Sequence, residues 1–213
     1  MAIVLDKFNI AYFSVPKVAC TSLKRMFYFA ESGEDFKPFF RNGKKIYVHK
    51  LYPCTAFSKI DSMKIQSYFK ICVVRDPVSR FLSCYSNRVQ HHWDLAKGKL
   101  SDVAVTSGAL PNPSLEDFVD RIELYRRYSH SIWHHTNSQC FFLGREKDFY
   151  SKVYTMSELD TLRCDMSSIT KMNLELPHVQ KGGKKLNQSV LSSNAKEKIR
   201  KMYDVDYQTY NFA

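Results

Sequence analysis

A lysine placed four residues ahead of a Thr-Ser pair, Lys17 before Thr21 and Ser22 in VPKVACTSLKR, is a set of side chains suited to holding an anion. Phosphate and sulfate groups take backbone N–H donors at a helix N-terminus, where the helix dipole adds positive charge. Lys17 supplies a mobile point charge, Thr21 and Ser22 supply hydroxyls, and the small Ala19 lets the backbone approach closely. The run Pro16, Lys17, Val18, Ala19, Cys20, Thr21, Ser22 is therefore the first candidate binding segment. It is not a Walker loop, because it has no glycine and its lysine precedes the small residues. A plain strand–turn–helix capped by Thr or Ser would use the same residues.

The second segment is VVRDPVSRFLSCY. Arg75 leaves a predicted strand, where a guanidinium can grip a phosphate through two hydrogen bonds. Asp76 reads as a helix N-cap with proline at the first helical position, and Ser83 lies two turns further on as a second donor. The simpler reading is an Arg-Asp pair that organises a strand–helix junction.

The elements that must carry these segments follow from pattern. The apolar start MAIVLDKFNIAYFSV lacks a basic leader and a cleavage site and reads as strand, best over residues 8–15. Residues 22–31 show apolar side chains at helical spacing, and residues 46–49 suggest a short strand. A weak helix over residues 62–68 precedes a continuous apolar strand over 69–74, buried on both faces. A helix from Pro77 to about Gln90 follows, then a long loop over 91–113, and a helix opened by Ser114 and Asp117 running to about Arg127. Beyond it come a strand over 150–155, short helices from Ser157 and Asp165, a basic loop over 177–188 and a final helix over 193–203. Strands alternating with helices predict a single-domain α/β fold around a parallel sheet. In such sheets ligands bind beyond the carboxyl ends of the strands, where both segments lie.

Together the two segments resemble the donor-binding segments of the sulfotransferases, closest to the carbohydrate branch of heparan 2-O- and chondroitin or dermatan 4-O-type enzymes. In that family a PKxxxTS loop holds a 5′-phosphosulfate and an RDPxxRxxSxY segment holds a 3′-phosphate. The matching residues here are Pro16, Lys17, Thr21 and Ser22, then Arg75, Asp76, Pro77, Arg80, Ser83 and Tyr85. The resemblance implies a P-loop-kinase-like fold, 3′-phosphoadenosine-5′-phosphosulfate as donor, adenosine 3′,5′-bisphosphate as product, a hydroxyl acceptor such as a carbohydrate, and no metal. It also implies a histidine base between the two segments, which points to His49, with His134 and His135 of HSIWHH as rivals and acceptor contacts. The family's late basic loop points Lys181, Lys184 and Lys185 to the 3′-phosphate, with a solvated charge run as the equal alternative. The family's tryptophan after Thr-Ser is Leu23 here, which leaves adenine stacking to other residues.

Bulk properties agree with a globular enzyme. The chain has 213 residues, 44% hydrophobic, with a net charge of +11. That charge also suits nucleic acid, yet no RRM, KH or zinc-finger pattern occurs, and no run is long and apolar enough for a membrane span. A nucleotide kinase would need a glycine-rich loop and an acidic magnesium ligand, neither of which is visible. The six cysteines are scattered singly and read as free thiols of a reducing, cytoplasmic setting. A chain that starts at methionine with no anchor reads as a soluble relative of the Golgi enzymes rather than a trimmed catalytic domain.

Overall fold

The computed structural model describes residues 2–177 and 182–212, which form two compact units. The first comprises residues 1–75 and 139–180, the second residues 76–138 and 181–213.

The first unit is built on a four-stranded sheet. Strand β1 (Ile3–Leu5) turns back through a left-handed Asn9 into β2 (Ile10–Phe13), so the predicted opening strand is a hairpin. Helix α1 (Cys20–Ser32) follows and ends at Gly33, whose φ of 76° closes the last turn. A separate two-stranded hairpin, β3 (Phe39–Arg41) and β4 (Lys44–Ile46), leads into the single-turn helix α2 (Val48–Leu51). His49 therefore lies on a helix and not at a strand end; Tyr47, extended, is the last residue before the turn. Residues 62–68 form turns only, since the single buried apolar side chain there, Ile65, cannot supply a helical stripe.

Strand β5 (Phe69–Val74) pairs parallel to β2, as Ile10↔Phe69 through Phe13↔Cys72. The order is β1-β2-β5-β6, with β6 (Lys152–Thr155) parallel to β5; the antiparallel β1 makes the sheet mixed where a parallel one was expected. The α/β class stands. One face carries Ile10, Tyr12, Ile71, Val73 and Tyr154 against Leu23, Met26 and Phe27 of α1. Tyr12 and Phe27 stack at 4.7 Å. The same face receives Leu162 and Met166 of the helix at Leu159–Thr170, one element where two short helices were expected. A Thr155–Glu158 capping box starts it.

The second unit is helical. Helix α3 (Pro77–Cys84) passes directly into a wider π-helical stretch, Tyr85–His91. The loop expected after it contains α4 (Asp102–Thr106), capped by Ser101. Ser114 caps α5 (Leu115–Asp120) as expected, but the helix breaks at Arg121 before α6 (Ile122–Tyr128). Then come α7 (His130–Thr136), and in the first unit α8 (Gln139–Leu143), followed by α9, the Leu159–Thr170 helix. The chain closes with α10 (Ser193–Met202) and α11 (Asp204–Tyr210). Phe81, Phe118, Tyr125, Ile132, Ile199 and Tyr203 anchor this unit's core.

Candidate functional site

In the first unit, the loop 14–19 and Arg75 leave the carboxyl ends of the neighbouring parallel strands β2 and β5. This is where an α/β sheet presents ligand sites. Two loop residues hold left-handed backbones without being glycine: Lys17 at φ 69° and Ala19 at φ 52°. Each such residue costs about 1–2 kcal/mol, a strain that persists only where surrounding structure enforces it. Ala19 is the N-cap of α1 and offers no side-chain cap, so the first N–H groups of the helix receive no hydrogen bond from that side chain. Lys17, Ala19, Cys20, Thr21 and Ser22 are partly exposed, whereas Pro16 and Val18 are buried beneath them.

Arg75 Nη1 donates to the Lys17 carbonyl at 3.1 Å and so ties the second segment to the first. Its backbone is fixed by Gln139 of α8: the Arg75 N–H donates to Oε1 at 2.9 Å and Nε2 donates to the Arg75 carbonyl at 2.9 Å. The fully buried Gln139 thus extends the strand ladder by one residue. Nothing in its local sequence, NSQCFF, announced that role.

His49 comes to the same loop. Its Nε2 lies 2.9 Å from Thr21 Oγ1, and Lys24 Nζ lies 3.2 Å from its Nδ1. An ammonium only donates, so Nδ1 accepts and, in the neutral ring, Nε2 carries the proton and donates to Thr21. Lys24 is fully buried, and its Nζ also donates to Cys54 Sγ at 3.2 Å, which Ser14 Oγ meets at 3.2 Å. A hydrogen bond with Cys54, with burial behind it, pushes the Cys20 thiol well up. Lys24 had a visible signal: it stands in the helical stripe formed by Leu23, Phe27 and Ala30, where a cation must find a buried partner.

In the second unit the motif residues divide between capping and presentation. Asp76 Oδ1 accepts from the Ser79 N–H at 2.7 Å and from Gln188 Nε2 at 2.7 Å, and Oδ2 accepts from Tyr207 at 3.2 Å. Burial, then the Asp76 carboxylate, pushes the Tyr207 hydroxyl up to about 12. Arg80 is fully buried; it donates to the carbonyls of His135 and Asn137 at the end of α7 and packs over Tyr203 at 5.1 Å. Tyr85 donates to the Pro113 carbonyl at 3.1 Å. These three organise helices.

Ser83 is half-buried, and its hydroxyl makes no hydrogen bond among the described residues. One turn on, Ser86 donates to the Lys184 carbonyl at 2.6 Å and Asn87 to the Gly182 carbonyl at 3.4 Å. Gly183 is required there: its φ is 83°, and a Cβ would lie 2.6 Å from the Ser86 carbonyl oxygen, whereas a Cβ on Gly182 would crowd only the movable Asn87 Nδ2. Helical spacing puts Ser83, Ser86 and Asn87 on one face, so the loop carrying Lys184 and Lys185 lies on the face of Ser83. Lys181 falls outside the described residues.

His134 and His135 lie on α7, in the second unit. His135 Nδ1 is 2.8 Å from the Ser131 carbonyl and must donate to it, which makes Nε2 the accepting nitrogen of the neutral ring.

A family model described as "Sulfotransferase family" matches residues 1–213. No curated protein and no solved structure matches the chain.

Proposed function

Because the chain belongs to the sulfotransferase family, we propose that it transfers a sulfuryl group from 3′-phosphoadenosine-5′-phosphosulfate to a hydroxyl of a carbohydrate or glycan. The observation that carries this reading is the glycine-free loop with left-handed Lys17 and Ala19, braced by Arg75 on the Lys17 carbonyl. Strain held at an exposed cationic loop, over a helix start without a side-chain cap, fits an anion-binding role. Pro16, Val18 and Cys20 shape the loop, and Thr21 and Ser22 supply its hydroxyls.

In the transfer, the acceptor oxygen bonds to sulfur as the bond from sulfur to the bridging phosphate oxygen breaks. The nucleotide leaves as adenosine 3′,5′-bisphosphate, and the acceptor's proton goes to a base. Such transfers depend on positioning and charge neutralisation, and Lys17 is assigned the charge on the bridging oxygen. Arg75 and Ser83 keep the assignment to the 3′-phosphate that the motif gives them, and Lys184 the one that the family's late basic loop gives it. His49 is the proposed base; for Nε2 to accept, the ring's proton must sit on Nδ1 instead, which requires Lys24 Nζ to withdraw from that nitrogen. A second reading takes His135 as base, because its Nδ1–H already donates to a carbonyl and leaves Nε2 to accept. His134 beside it is then an acceptor contact. All six cysteines are free thiols, which supports a cytoplasmic setting for one sulfotransferase domain spanning both units.

The test is incubation with radiolabelled donor and a panel of glycans and phenols, with product mass as readout, beside thermal shifts with nucleotides. Product heavier by one sulfuryl group, and stabilisation by adenosine 3′,5′-bisphosphate but not by 5′-AMP or oligonucleotides, support the reading. At a hundred times Kd the bisphosphate should add about 2.7 kcal/mol of stability. Phosphate transfer from ATP with magnesium, or stabilisation by oligonucleotides alone, overturns it.

A further inference from the structure

No residue assigned to the transfer lies on the β3–β4 hairpin of the first unit. It pairs with no strand of the main sheet, and its turn, Asn42-Gly43, has both residues left-handed, as a tight two-residue hairpin requires. The register Phe39↔Ile46, Phe40↔Lys45, Arg41↔Lys44 separates two faces. Phe39 and Ile46 are half-buried on one, with Phe39 6.4 Å from the buried Phe36. The other presents Phe40, 71% exposed, opposite Lys45, whose Nζ lies 5.4 Å over the ring of Tyr47, itself 48% exposed.

Charge completes the pattern. From Phe36 to Ile60 the chain has six cations, Lys37, Arg41, Lys44, Lys45, Lys50 and Lys59, and no carboxylate. Among the described residues none of these six makes an ion pair. Lys45 shares the water-exposed aromatic face with Phe40, whereas Arg41, 5.5 Å over the Phe39 ring, and Lys44 stand on the opposite face beside the turn. Aromatic rings favour the headgroup level of a bilayer, and each cation near an anionic leaflet adds about 1 kcal/mol of attraction. A soluble polyanion would use the cations but not a phenyl ring standing seven-tenths in water. We propose that the Phe40 face of this hairpin docks the protein on an anionic lipid bilayer, the rings of Phe40 and Tyr47 entering the interface, Lys45 beside them meeting the headgroups, and Lys44, next to the turn, reaching the headgroups from the hairpin's end. The proposal is independent of the reaction assigned above.

Sedimentation of the full chain with vesicles of phosphatidylcholine, with and without phosphatidylserine, is the test. Binding should need the anionic lipid and weaken with salt. The Lys44→Ala/Lys45→Ala pair should weaken it about tenfold or more, from about fivefold per cation. Phe40→Ser should weaken it with the charge unchanged, and both variants should keep the wild-type unfolding temperature because these side chains are exposed. Equal binding to neutral vesicles, or undiminished binding by Phe40→Ser, overturns the proposal. So does an absence of vesicle binding together with retention on an acidic polysaccharide that Phe40→Ser keeps and Lys44→Ala/Lys45→Ala loses; that result would make the hairpin a polyanion surface.

Discussion

Lys17 is the one cation in the run from Pro16 to Ser22, so no neighbour in that loop can replace its charge. Lys17→Ala should leave the fold intact and lower kcat more than tenfold, a loss above about 1.4 kcal/mol, in single-turnover assays. The two histidine readings separate by pH dependence. If His49 is the base, His49→Ala lowers kcat by roughly 10²–10⁴ and removes the acidic limb of the pH–rate profile, with bisphosphate affinity retained. If His135 is the base, the same signature appears in His135→Ala, and His49→Ala instead shows a loss of donor affinity through Thr21. A pH–rate profile of both variants decides.

At the scale of elements, the glycine loop seated on α3 and its π-helical extension makes a sharp prediction. Gly183→Ala adds a Cβ 2.6 Å from a backbone oxygen at a φ of 83°, while Gly98→Ala, at φ 86°, meets nothing within 4 Å. Gly183→Ala should therefore lower Tm more than Gly98→Ala, roughly 2–4 °C for each kcal/mol by which their costs differ, and should weaken bisphosphate binding as the control does not. An ion pair and a hydrogen bond add to the apolar packing between β6 and α9. Asp165 Oδ2 accepts from Lys152 Nζ at 2.5 Å and from Tyr154 at 2.6 Å, and these bonds, Lys152 first, hold its carboxyl below the usual 3.8. A lowered carboxylate stabilises above its unfolded value and loses that contribution as pH falls through the folded one. Asp165→Asn should thus be less stable than wild type at pH 7, with the difference shrinking below about pH 4 in urea titrations.

Over the whole molecule, the family match runs through both units, and the residues that carried the resemblance were legible because they are local. Pro16 to Ser22 and Arg75 to Ser83 sit at strand–helix junctions that propensity and capping rules mark directly. What escaped depends on distant partners: Gln139 meets Arg75 across 64 positions, and Lys24 meets Cys54 across 30. The helix of His49 was missed because a single turn after a hairpin has no periodicity to read, and the hairpin edge of the sheet because one left-handed asparagine, Asn9, makes its turn. Lys24 has a further consequence, one for the protein's heat resistance. Its Nζ is sealed in α1 against an imidazole and a thiol, with no ion pair to a carboxylate among the described residues, in a stripe otherwise apolar. A methionine fills nearly the same space without the desolvation that such a group suffers. Lys24→Met should raise Tm by several degrees while slowing transfer, since Thr21 and His49 lose the group that sets their shared proton. Screening variants for thermal endurance alone would therefore drive this position toward an apolar residue and an impaired enzyme, and a Lys24→Met protein both less stable and fully active would refute that trade.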